Sequence, residues 1–129
     1  MEVVRHCSER RPGGLRRWRR LARRAGFTGV LEVYGYGVHG GPAKMQLRVV
    51  RKDDGRATVA DYGGNHIRVW VNAPCSPERM SFTTKPLFAF AHELGHHRQE
   101  MRGVRLQMSV EQKERSADRY ARRLLRQVP

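Results

Sequence analysis

Residues 87–97 read Leu-Phe-Ala-Phe-Ala-His-Glu-Leu-Gly-His-His, so three histidines and a glutamate stand in an otherwise apolar run. Leu87, Phe90, Ala91 and Leu94 recur at helical spacing, which predicts a helix over about 84–101, broken by Gly103. Imidazoles and a carboxylate on such a helix are costly to bury without partners. Any fold of this chain must therefore supply those partners. His92 and His96 are four residues apart and share one helix face. Their nitrogens can converge on a single ion at about 2.0–2.1 Å. Glu93 projects beside them, within reach of a water on that ion. The plainer reading is a surface histidine pair on a charged helix, and the small and apolar neighbours argue against it.

A hydrolytic metal site needs a third protein ligand and leaves its fourth position to water. No histidine follows His97. A last helix is predicted over about 110–127, with Ser109 as N-cap and Gln112 in the capping-box position. Its apolar stripe runs through Val110, Ala117, Ala121, Leu124, Leu125 and Val128, and Glu114 and Asp118 fall on the same stripe. Carboxylates facing a core need a cation or hydrogen-bond donors. Glu114 is therefore the candidate third ligand, with Glu111 as the spare. Asp118 is placed to accept the second N–H of a ligand histidine. The plainer reading pairs Glu114 with Lys113, Arg115 or Arg119 on a solvated helix.

The two-part motif, His92-Glu93-Leu94-Gly95-His96 and Glu114-Arg115-Ser116-Ala117-Asp118-Arg119-Tyr120-Ala121, resembles the ImmA/IrrE-type zinc metallopeptidases, which are gluzincins. Ile67–Asn72 is similar to the strand before the active-site helix in that family, and Ser81-Phe82-Thr83 and Ala91 to its approach to the motif. The likeness spans roughly residues 65–125. It implies one zinc ion on His92, His96 and Glu114, Glu93 as catalytic base and Asp118 behind the ligands. It also implies a protein substrate, with a helix-turn-helix repressor as the candidate. Ser116 and Tyr120 depart from the family's usual acidic residue and Phe. Tyr62, His66, His39 and His97 are candidates for oxyanion or substrate contacts.

The rest of the chain predicts an α+β fold in one domain, 1–129. Leu15, Trp18, Leu21, Ala22 and Ala25 predict an N-terminal helix over about 14–25, ended by Gly26, behind a flexible basic segment 1–13. Strands are expected near 30–36, 45–51, 57–61 and 66–71, with turns at Asp53-Asp54-Gly55 and Gly63-Gly64-Asn65. They suggest a small, mostly antiparallel sheet of three or four strands ahead of the H-E-x-x-H helix, a minimal zincin fold. The strand 66–71 is expected at a sheet edge, where it could pair with an extended peptide. Gly35, Gly37, Gly40 and Gly41 do not form a dinucleotide-binding fingerprint.

Charge bears on partners. Lys and Arg number 26 against 12 Asp and Glu, for a net charge of +14, and 22 of the cations are Arg. Arg16, Arg17, Arg19, Arg20, Arg23 and Arg24 line the outer face of the first helix as a candidate anion-binding face. A nucleic-acid-associated regulator, or a DNA-associated protease on the same fold, is the alternative reading. SprT-type proteases use a third histidine that is lacking after His97. No run approaches the roughly 20 apolar residues of a membrane span. Cys7 and Cys75 form no disulfide framework, although either could close a purely structural zinc site. Arg16-Arg17 lacks the apolar segment of a twin-arginine signal, and a cytoplasmic location is expected.

Overall fold

The computed structural model describes residues 1–6, 15–35, 58–71 and 85–129. The elements are β1 (Glu2–His6), α1 (Leu15–Ala25), β2 (Val30–Gly35), β3 (Thr58–Gly63), β4 (His66–Val71), α2 (Lys85–Met101) and α3 (Val110–Gln127). A 3-10 turn at Arg105–Gln107 precedes α3. The class is α+β. The expected strand at 45–51, the turn at 53–55, the glycines from 37 to 41, His39, Cys7 and Cys75 lie outside the described residues.

The strands are ordered β1-β2-β4-β3. β1 runs parallel to β2 and β2 parallel to β4; the β3–β4 pair is antiparallel. This mixed sheet corrects the expectation of a mostly antiparallel one. Parallel neighbours need a crossover of a dozen or more residues, and α1 lies in the crossover between β1 and β2. The segment expected to be wholly flexible begins with β1, where Val3 stands opposite Leu31 and packs against the core. β4 is flanked by β2 and β3, so it is not the edge strand expected. The β3–β4 turn fits its sequence: Gly64 and Asn65 have φ of 57° and 62°, as a type I′ hairpin requires.

Alternation along the strands sorts the two faces. Leu31, Val33, Ile67 and Val69 are buried, while Glu32, His66 and Arg68 face the other way. The core face is covered by Trp18, Leu21 and Ala22 from α1, Leu87, Phe90, Ala91 and Leu94 from α2, and Ala121 and Leu124 from α3. Trp18 stacks on Phe90 at 5.1 Å between ring centroids, an arrangement worth about 0.5–1.5 kcal/mol beyond its buried area. The Ser109–Gln112 capping box starts α3 as expected. Val110, expected on the buried stripe, is 74% exposed. The packed part of that stripe begins only at Ala117, where α3 meets α2.

Arginines of α1 hold the end of α3. Arg17 donates from Nε to the Val128 carbonyl and from Nη2 to the Leu125 carbonyl, at 3.0 and 3.1 Å. Arg20 donates to the Pro129 carbonyl at 2.7 Å, and Arg19 to the Met1 carbonyl at 3.2 Å. Cations at a helix C-terminus satisfy its free carbonyls and complement its dipole. Among the described residues, no helix is long and apolar enough to cross a membrane.

Candidate metal centre

Residues 92 and 96 bring their rings together one turn apart on α2, with Nε2 atoms 3.1 Å from each other. Glu114 reaches across from α3. Its Oε2 lies 2.8 Å from His92 Nε2 and its Oε1 3.2 Å from His96 Nε2. Ligands placed tetrahedrally around zinc at about 2.05 Å stand about 3.3 Å apart. Three ligand atoms of the right kind thus already sit at nearly that spacing.

The outer hydrogen bonds decide which ring nitrogens carry protons. Gln99 Nε2 donates to the Lys113 carbonyl at 2.8 Å, which turns its Oε1 toward His96 Nδ1 at 3.0 Å. His96 must therefore donate from Nδ1. His92 donates from Nδ1 to Asp118 Oδ1 at 2.7 Å. Neutral rings so arranged present only lone pairs at both Nε2 atoms. In that arrangement two lone pairs and a carboxylate face one another. A shared cation resolves that contact. Burial lowers the pKa of His96, and the neighbouring His92 adds to the shift, although the Gln99 bond opposes it. The neutral imidazole that a metal requires is thereby favoured.

Glu93 is 7% exposed. Its pKa is pushed up to about 8, first by burial, then by the carboxylates of Glu114 and Asp61, with Arg105 opposing. A carboxyl group in such a setting can exchange a proton near neutral pH.

Asp118 lies where the sequence reading placed it. Glu111 is exposed and pairs with Arg115 at 2.5 Å, so it is not drawn into the cluster. Three of the oxyanion candidates fall among the described residues, and each has partners outside the triad. The Tyr62 hydroxyl is 3.0 Å from His97 Nδ1 and also bonds Glu100; burial and Glu100 raise its pKa. His97 is buried edge-on to Phe27 and Tyr62, and burial lowers its pKa. His66 pairs with Glu32 at 2.6 Å on the far face of the sheet.

Two site residues escaped the sequence reading. Gln99 had a signal, since it lies three residues after His96 on the same helix. Arg105 had none, because it sits in the short 3-10 turn. Its guanidinium lies over the Tyr62 ring at 5.2 Å and pairs with Glu100 at 3.1 Å. Its charge bears on both Glu93 and His96.

No protein-family model, curated protein or solved structure matches this chain.

Proposed function

We propose that this chain is a small zinc-dependent endopeptidase, similar to the ImmA/IrrE-type gluzincins. The observation that carries this reading is the convergence of His92 Nε2, His96 Nε2 and the Glu114 carboxylate beside buried Glu93. His92, His96 and Glu114 would hold the ion. When bound, zinc supplies Lewis acidity, which activates water near neutral pH and polarises a carbonyl.

The chain's own groups do the rest. Glu93 takes a proton from the attacking water and later delivers it to the leaving amine. Asp118 and Gln99 orient the two imidazoles and hold a proton on each Nδ1, leaving Nε2 toward the ion. Arg105 is the cation whose field reaches Glu93 and His96, so it is our choice to steady negative charge on the scissile oxygen. β3 is an edge strand among the described residues and packs against α2. An extended substrate pairing with it would run alongside the metal site. A protein substrate fits this arrangement, and the family resemblance points to a helix-turn-helix repressor in the cytoplasm.

The test is metal analysis of purified protein with cleavage of candidate substrates by wild type and Glu93→Gln. The reading requires about one zinc per chain in both proteins and cleavage by wild type alone. Loss of zinc from wild type on gel filtration, or equal cleavage by Glu93→Gln, contradicts it.

A further inference from the structure

A second charged site lies away from the metal centre. Tyr120 stands on α3 six residues past Glu114, about 240° around the helix from it. The Arg98 guanidinium of α2 lies over its ring at 5.0 Å, and that of Arg123 at 5.4 Å. The charges of Arg24, from α1, and Arg102, in the turn after α2, also reach the Tyr120 phenol. Two guanidiniums therefore stack on one half-buried tyrosine, and two more arginines, one on α1 and one in the turn after α2, bring their charge to it. Among the described residues, no carboxylate pairs with any of the four. Arg98 is destabilised as a cation by burial and then by Arg102 and Arg123. Like charges held together without a counter-ion favour an external anion.

From this we infer that the Arg24–Arg98–Arg102–Arg123 cluster binds the phosphodiester backbone of duplex nucleic acid. Guanidinium groups match phosphate oxygens in fork geometry. The exposed arginines Arg16 and Arg23 continue the positive face along α1. A regular polyanion supplies the counter-charges that such a face lacks among the described residues. Unstacked bases are a poor match, because the Tyr120 ring is already occupied by two guanidiniums. The arginines expected to bind anions from sequence are partly diverted, since Arg17, Arg19 and Arg20 hold main-chain carbonyls. This inference is independent of peptidase activity.

The experiment is fluorescence anisotropy of a labelled 20-base-pair duplex of arbitrary sequence with zinc-loaded full-length protein, across a salt series. Arg24→Gln/Arg98→Gln/Arg102→Gln/Arg123→Gln is compared with the equal-charge control Arg115→Gln/Arg119→Gln/Arg122→Gln/Arg126→Gln. The cluster variant should lose at least tenfold more affinity than the control, and its salt slope should fall by roughly 3–4. The exposed pair Arg24→Gln/Arg102→Gln should lose part of the affinity with its circular dichroism unchanged, which covers misfolding of the quadruple variant. Equal losses in cluster and control variants would overturn the inference, as would no duplex binding by wild type. Tighter binding of poly-glutamate, phosphatidylserine vesicles or single strands than of duplex at the same salt would overturn it too.

Discussion

Gly95 and Ala117 meet backbone to backbone where α2 crosses α3: a Cβ placed on Gly95 would stand 2.7 Å from the Ala117 Cα. Glu114 lies one turn before Ala117, and Gly95 lies between His92 and His96. The close crossing is therefore what lets a short carboxylate on one helix reach two imidazoles on the other. Glycine inside a helix costs about 1 kcal/mol relative to alanine, and the contact explains why it is tolerated here.

Gly95→Ala should consequently destabilise the protein despite its better helix propensity. The new methyl group must displace backbone, and overpacking of that kind costs about 1–3 kcal/mol. Thermal unfolding should show a Tm fall of about 4 °C or more, together with weaker zinc binding. A higher Tm with unchanged zinc affinity would mean that the two helices are not held at this spacing.

Removing either outer hydrogen bond should weaken the metal site without removing a ligand. Asp118→Asn and Gln99→Leu are each expected to lower zinc affinity roughly 10–100-fold, measured by competition with a chelator of known affinity. Exposed Gln107→Leu is the control and should leave affinity unchanged.

Glu93 should make the metal-free protein less stable as pH rises. Its carboxyl titrates near 4.5 in the unfolded chain and near 8 when folded. Folding therefore favours the protonated form, and the penalty is absent below pH 4.5, grows between the two values and is complete above pH 8. Glu93→Gln removes that penalty. With chelator present, its Tm should match wild type at pH 4.5 and exceed it by about 4 °C or more at pH 8.5. An equal offset at both pH values would place the carboxylate in solvent.

Zinc should stabilise the fold through its three ligands. At a free concentration 100 times the dissociation constant, binding contributes about 2.7 kcal/mol. The Tm of wild type should rise accordingly in a zinc titration monitored by circular dichroism. Glu114→Ala should abolish most of that rise while leaving the metal-free Tm within a few degrees, because its side chain is 54% exposed.

The three helices and the clustering of His92, His96 and Glu114 were legible because their signals are local. His92, His96, Glu114 and Asp118 follow helical spacing, and Ser109 and Gln112 mark a helix start by side-chain chemistry alone. Sheet topology was less legible. The alternation of His66, Ile67, Arg68 and Val69 says that one face is buried, but not which strands lie on either side. β1 is five residues with two valines, and its pairing with β2 depends on chain more than twenty residues away. Val110 follows the helical period yet lies beyond the region where α3 packs, which periodicity cannot reveal.

X-ray absorption at the zinc edge of the purified wild-type protein examines the metal centre most directly. A catalytic site on His92, His96 and Glu114 gives nitrogen and oxygen scatterers alone at about 2.0–2.1 Å, two of them imidazole, with one position filled by solvent. A sulfur scatterer near 2.3 Å, from Cys7 or Cys75 closing the site, or a spectrum with no imidazole contribution, would contradict it.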